Sequence, residues 1–261
     1  MRTIKHLYRY PVKGLSGEKL SSVELEQGRG FPGDRVFAIT NGSATFDVDS
    51  LKPEPKTSFL VLMKYAELAR LDTRYDAQRK VLEVREHGGQ NVLLESSLMT
   101  EEGKADIAAF FREFLGEQVI TGSPKVVHRE THPFTDVSVV SPTLMHSISI
   151  INLTSLFEVE KALGKKLDPR RFRANVYFQG EQPWEEFEWM DKEIAIGSIR
   201  AKVNFKTRRC PATDVNPETA ERDLALPQFL RKTFGHGDLG VYAEIITPGT
   251  LKVGDKVLPL L

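Results

Sequence analysis

Cys210 stands in the stretch TRRCPATD, directly behind Arg208 and Arg209 and ahead of Pro211, and it is the one cysteine among 261 residues. Nearby cations stabilise a thiolate, and a guanidinium keeps its charge at any working pH. A cysteine so placed is suited to be a nucleophile or a soft metal ligand. Side chains two apart share a face of an extended strand, so Arg208 rather than Arg209 is expected beside the sulfur. The competing reading is a free cysteine acting as a small buried hydrophobe. The polar surroundings and the Pro211 to Thr213 turn signal point instead to a loop at a strand end, where function concentrates.

Three other stretches could serve an anionic ligand. In RRFRANV (170–176) Arg173 and Asn175 also lie two apart, and a guanidinium fork beside a carboxamide suits an anion carrying a planar, hydrogen-bonding ring. The alternative there is a solvated basic surface. In YRYPVKGLSG (8–17) a strand runs into Pro11, Lys13 and Gly14, a workable phosphate cradle or an ordinary turn; the Walker spacing is absent. GRGFPGDRVF (28–37) repeats the pattern, with Asp34 and Arg35 entering a strand. His128 and His132 are four apart, but Pro133 argues against a metal-binding helix, and His236 in FGHGDLG reads as a turn histidine. There is no G-x-S-x-G elbow and no paired-carboxylate arrangement.

The totals limit the field. Thirty-six basic residues balance 36 acidic ones, which disfavours nucleic acid as a partner, since such binding neutralises phosphates. One cysteine excludes an internal disulfide framework and any multi-cysteine zinc or iron–sulfur site. The longest apolar run, near SFLVLM, is far short of the roughly 20 residues of a membrane span, and the start alternates too soon for a signal peptide. A cytoplasmic protein with no membrane association is expected.

These residues need positioning elements, and the sequence offers mostly strands. β-Branched and aromatic runs separated by Gly and Pro mark strands at TIKHLYRYPV, 35–40, 80–84, 91–95, 118–122, 147–152 and 174–179. EIAIG, IRAKVNF and LGVYAEIITPG follow, and TLKVGDKVLPL reads as a hairpin turning at Gly254-Asp255. Helices are expected over 100–116, with Thr100 as N-cap, Gly116 as stop and Ile107, Phe110, Phe111, Phe114 and Leu115 on one face. A second is expected over 152–166, with Leu153, Leu156, Phe157 and Leu163 inward and Gly164 as stop, and a third over 226–235. The segment 47–58, with two prolines, reads as a surface loop, and a domain boundary is placed near 123. The class is mainly β with a few helices, built as barrels or sandwiches.

Taken in order, the motifs resemble one family, the MOSC domain proteins. The chain is most similar to their two-part members, in which an N-terminal MOSC-associated α/β, β-barrel-like domain (here 1–122) precedes the MOSC β-barrel (here 123–261). The amidoxime-reducing component and its bacterial relatives belong to that branch. YRYPVKGLSGE and GDRVFAI carry the first part; INLTSL, DPRRFRANVYF, FKTRRCPATDVNPET and FGHGDLGVYAEIITPGTLKVGD carry the second.

The resemblance implies a molybdenum cofactor, Mo-molybdopterin, with Cys210 as metal ligand. It implies Lys13, Gly14, Arg35, Arg173 and Asn175 around its phosphate and pterin, with Thr154 and Ser155 contributing from a helix start. Arg208 and Thr213 would flank the metal ligand, and Arg208 and Asp214 would position substrate or relay protons. The family terms attached are molybdenum ion binding and pyridoxal phosphate binding. The implied activity is an oxidoreductase acting on small N-oxygenated molecules, with electrons from a separate ferredoxin-, flavodoxin- or cytochrome b5-type donor. A persulfide sulfurtransferase centred on Cys210 and a cofactor carrier without catalysis are the alternatives. The sequence departs from the family pattern at Gly14, where serine is usual, at Asp214 and Asn216 after the cysteine, and near residue 46, where a TQR-type segment is missing.

Overall fold

A computed structural model describes residues 1–42, 52–120 and 122–260. Its strands are β1 (Thr3–Arg9), β2 (Glu18–Leu20), β3 (Ser22–Leu25), β4 (Phe37–Ile39), β5 (Leu71–Asp76), β6 (Val81–Glu86), β7 (Val92–Ser97), β8 (Val126–His128), β9 (Ile148–Asn152), β10 (Val176–Gln179), β11 (Glu193–Ile196), β12 (Ile199–Arg208), β13 (Asp238–Thr247), β14 (Gly249–Lys252) and β15 (Val257–Pro259). Among the described residues the α-helices are α1 (Glu101–Leu115), α2 (Pro142–Met145), α3 (Leu153–Leu163) and α4 (Leu226–Phe234). The fold is mainly β, as expected.

The large sheet runs β15-β11-β12-β13-β9-β10-β1-β2, while β5, β6 and β7 form a three-stranded sheet. Two pairs, β14-β3 and β4-β8, complete the pairing. Strand pairing therefore crosses residue 123 three times, at β1-β10, β3-β14 and β4-β8. The period-2 pattern explains the large sheet. Ile199, Ala201 and Val203 of β12 and Leu239, Val241, Ala243 and Ile245 of β13 are buried, and the residues between them face outward more often than not. A second core gathers Phe37, Ile39, Leu82 and Val84 against Ile107, Phe111 and Leu115 of α1.

Local chemistry fixes the helices. Thr100 Oγ1 accepts from the Gly103 N–H at 3.2 Å, and Gly116 ends α1 at φ 91°, as read. Asn152 caps α3, its side chain accepting from the Thr154 N–H at 2.9 Å, and Gly164 and Gly235 end α3 and α4 in the left-handed conformation. Phe157 differs from expectation: it is 55% exposed, and Val159 takes the inward position.

Other readings are corrected. Residues 117–119 form a turn closed by Val119 N–H to the Gly116 carbonyl at 3.0 Å, so the strand expected over 118–122 does not form there, and Thr121 lies outside the described residues. The expected C-terminal hairpin turns at Gly254 (φ 95°), yet its arms separate: β14 pairs with β3 and β15 with β11. Of the 47–58 loop, 47–51 lie outside the described residues, as does most of the stretch around residue 46. The remainder ends in a 3-10 turn, Lys56–Ser58, that enters the cavity described next.

Candidate functional site

Between the β4 region, the 3-10 turn Pro169–Phe172 and the end of β12 lies a cavity of about 620 Å³. Lys13, Gly14, Arg35, Arg173, Asn175, Arg208, Cys210, Thr213 and Asp214, far apart in sequence, all line it. Thr154 and Ser155 do not. The start of α3 is already capped by Asn152, the Thr154 hydroxyl donates to the Gly180 carbonyl at 2.8 Å, and the fully buried Ser155 hydroxyl donates to Glu186 at 2.9 Å. With both hydroxyls and the Thr154 N–H engaged, and neither residue lining the cavity, that helix start does not serve a ligand bound there.

Cys210 sits where β12 ends and a 3-10 turn, Pro211–Asp214, begins. Pro211 starts that turn without needing an N–H, and the Thr213 hydroxyl donates to the Cys210 carbonyl at 2.9 Å. Thr213 thus shapes the turn from within. Asp214 accepts from the Leu226 N–H at 2.8 Å, tying the cysteine turn to the start of α4. Burial raises the Asp214 pKa against that hydrogen bond.

The arginine readings change in detail. Arg208 is exposed, whereas Arg209 is buried and donates to the Leu239 carbonyl through Nε at 2.8 Å and to the Phe172 carbonyl at 3.2 Å. Both line the cavity. β12 ends at Arg208, so strand alternation does not extend to Cys210 and does not separate the two arginines. Arg173 is not in a strand: it ends the 3-10 turn Pro169–Phe172 at φ 52°. Its guanidinium donates to the Leu15 carbonyl at 2.6 Å and lies 4.4 Å over the Tyr10 ring. Burial lowers its pKa. Asn175 is committed to the scaffold, with Oδ1 accepting from the Ser149 N–H at 3.1 Å and hydroxyl at 2.9 Å, and Nδ2 donating to the Tyr8 carbonyl at 3.3 Å.

Lys13 is buried and donates to the Phe134 carbonyl at 2.9 Å and to Asp136. Burial lowers its pKa against the pull of Asp136. Arg35 pairs with Asp34. Gly14, at φ 85°, packs so closely that a Cβ would overlap the Leu60 carbonyl.

Three residues of this site had no sequence signal strong enough to find them. Asp136 links Lys13 to Lys56, whose amine lies 3.8 Å from its carboxylate. Burial works against the charge on Lys56, but Asp136 and then Cys210 hold its pKa above the ordinary lysine value. Burial likewise pushes the Asp136 pKa up, yet Lys13 and Lys56 hold it far below the usual carboxylate range. Arg171, third of the three, donates to the Asp214 carbonyl at 3.2 Å and pairs with Asp223 at 2.8 Å.

Eight basic side chains and three carboxylates line the cavity of a chain with no net charge. That concentration favours an anionic ligand. Three buried polar atoms on cavity-lining residues, Arg171 Nε, Arg173 Nη2 and Thr207 Oγ1, have no hydrogen-bond partner among the described residues. Orphaned donors of this kind cost free energy unless a ligand engages them. A bulky phosphorylated ligand with a soft atom near Cys210 suits this donor set.

The MOSC domain model matches residues 117–258, more than half of the chain, and the MOSC N-terminal beta barrel domain model matches residues 1–118. The chain is 24% identical to mitochondrial amidoxime-reducing component 1 of Homo sapiens over 98% of its own length and 82% of the relative's. It is 24% identical to the Mus musculus protein of the same name over 98% and 81%. It is 32% identical to the molybdenum cofactor sulfurase of Bos taurus over 43% of this chain and 14% of the sulfurase. No helix among the described residues is long and apolar enough to cross a membrane.

Proposed function

Because the chain belongs to the MOSC domain family, we propose that its cavity holds a molybdenum cofactor with Cys210 as the metal ligand. On this reading the protein is an oxidoreductase that reduces small N-oxygenated molecules with electrons from a separate donor protein. One observation carries the proposal: a lone thiol shares a cavity with eight cationic side chains drawn from both halves of the chain. The near full-length likeness to the amidoxime-reducing components supports the choice of reaction.

When bound, the cofactor would supply two-electron reduction of an N–O bond; the chain supplies the rest. Arg173 Nη2 and Thr207 Oγ1 would find partners on it. Lys13 and Arg35 would hold its phosphate end electrostatically. Gly14 would keep the Lys13 turn packed against Leu60, where a Cβ has no room. Arg171, Thr213 and Asp214 fix the turn that presents Cys210. Arg208, exposed on the cavity wall, would meet substrate, and Asp214 would help to position it. Asn175 would act indirectly, by holding the wall. Thr154, Ser155 and pyridoxal phosphate have no part in this reading.

The test is expression in a host that makes the cofactor, then elemental analysis and turnover of benzamidoxime with a chemical reductant. Molybdenum near one atom per chain and reductive turnover are expected, with both falling sharply in Cys210→Ser. Full turnover in Cys210→Ser overturns the ligand assignment. A metal-free protein carrying about 32 Da of extra mass on Cys210, one sulfur atom, replaces the reading with sulfur transfer. Molybdenum without turnover replaces it with a carrier.

A further inference from the structure

The cations of the cavity fall into two groups. Six of the eight have partners in the wall: Lys13 and Lys56 on Asp136, Arg35 on Asp34, Arg171 on Asp223, Arg173 on the Leu15 carbonyl, and Arg209 on the carbonyls of Leu239 and Phe172. Arg208 and Arg231 are different. Both are exposed, both line the cavity, and neither makes an ion pair or side-chain hydrogen bond among the described residues.

They also belong together. Arg208 ends β12 two residues before Cys210. Arg231 projects from α4 on the face of Pro227 and Gln228, which line the same cavity. The Arg231 side chain lies 3.5 Å from where a Cβ on Gly237 would stand. The Gly237 carbonyl accepts the Arg209 N–H at 2.8 Å. Arg231 therefore packs beside the strand end that carries Arg208, Arg209 and Cys210. The nearby carboxylates do not neutralise the pair. Asp214 is engaged by the Leu226 N–H, Asp136 by Lys13 and Lys56, and Asp238, opposite Arg208 in register, forms no ion pair within 4.0 Å among the described residues.

The same cavity has exposed apolar lining. Phe205 is 39% exposed and Val140 57%, and both line the cavity. Exposed apolar surface in one cavity with two unpartnered guanidinium groups fits an apolar or aromatic body that carries an anion.

We propose that Arg208 and Arg231 form an anion subsite on the exposed part of the cavity, selecting substrates that carry a carboxylate, or a like anion, on the apolar body bearing the reducible group. This rests on the functional reading above and specifies its substrate class. Arg208 and Arg231 recognise the substrate's charge, while Phe205 and Val140 contact its body.

The test compares 4-carboxybenzamidoxime with benzamidoxime on the molybdenum-loaded protein, by calorimetric binding and by steady-state turnover. The carboxylate-bearing compound is expected to bind about tenfold more tightly, the worth of one hydrogen bond to a charged group. Arg231→Gln is expected to erase most of that ratio through KM while molybdenum content stays at the wild-type level, and Arg231→Lys to restore part of it. Raised salt should shrink the ratio. Equal affinity of the wild type for both compounds overturns the proposal while leaving the reductase reading intact. Loss of molybdenum in Arg231→Gln also overturns it, by giving Arg231 to the cofactor. If the wild-type protein holds no molybdenum, the reductase reading fails, and the calorimetric comparison still decides the anion subsite.

Discussion

The guanidinium of Arg35 donates to the main-chain carbonyl of Arg173 at 2.8 Å. A cation from the N-terminal part thereby steadies the turn that presents a cation of the MOSC domain. Both residues adopt left-handed backbone, φ 54° and 52°, a conformation that costs a non-glycine residue on the order of 1 kcal/mol or more. Both guanidinium groups lie over the buried Tyr10 ring, at 4.9 and 4.4 Å. Asp34 balances Arg35, whereas Arg173 has only carbonyl and ring partners among those described. An anionic ligand in the cavity would supply the counter-charge.

Tyr10→Leu removes that shared platform while keeping an apolar side chain. Each cation–π contact is worth about 1 kcal/mol even at an exposed site and more when desolvated, so a loss of at least roughly 2 kcal/mol is expected, read as a lower Tm. The variant should also retain less molybdenum after purification. Unchanged Tm and metal content would show that the carbonyl hydrogen bonds alone hold the two arginines.

Arg222 is the tie between the cysteine turn and the N-terminal part. It donates to the Pro211 carbonyl at 3.0 Å and to the Leu62 and Met63 carbonyls at 2.8 Å. Arg222→Ala is expected to cost about 1 kcal/mol, since these bonds are exposed, and to speed amide hydrogen exchange across 211–223. Exchange there at the wild-type rate would mean that Arg171 and Asp223 suffice to hold the turn.

Glu186 predicts a pH dependence. Its carboxyl is fully buried, with Asn152 and Ser155 as partners, and burial raises its pKa to about 7. Unfolded, it ionises near the ordinary value of 4.5, so between these limits the folded state binds more protons. Stability should therefore fall as pH rises from about 4.5 to 7, by up to roughly 3 kcal/mol. Glu186→Gln should flatten this slope and exceed the wild type above pH 7. Parallel Tm–pH curves would show that Glu186 stays neutral or stays charged throughout.

Legibility in the sequence tracked how local the cause was. Thr100, Gly116, Gly164 and Gly235 act within a few residues of themselves, and the helix ends they set were readable. The β12 and β13 cores were readable from alternation. The arms around Gly254 were not, because β3 and β11, remote in sequence, outcompete the local hairpin. At the site, nine of the residues singled out do line one cavity; ordered motifs found them, but their local geometry departs from alternation where β12 ends at Arg208 and where Arg173 closes a left-handed turn. Lys56 and Asp136 lay in stretches without periodicity, and only the fold makes them neighbours of Lys13 and Cys210. Thr154 and Ser155 were attractive as a helix start, and Asn152, two and three positions earlier, already caps it.

Gly14 tests whether the departure from the family's serine is structural. The residue follows Lys13, whose N–H donates to the Phe37 carbonyl at 2.8 Å, and its φ of 85° is one that L side chains rarely adopt. A Cβ there would overlap the Leu60 carbonyl, main chain rather than a side chain that could swing aside. Leu60 is itself pinned, its N–H donating to the Ile39 carbonyl at 2.8 Å. Gly14→Ser must therefore move either the Lys13 turn or the backbone at Leu60, at a cost of roughly 3 kcal/mol or more. Because Lys13 leads directly into this turn, the shift should also disturb its pairing with Asp136 and lower molybdenum content. Gly14→Ala should do the same, since the Cβ and not the hydroxyl causes the overlap. A Gly14→Ser protein with wild-type Tm and metal content would mean that the backbone relaxes to the family's usual turn, and that the glycine is tolerated here rather than required.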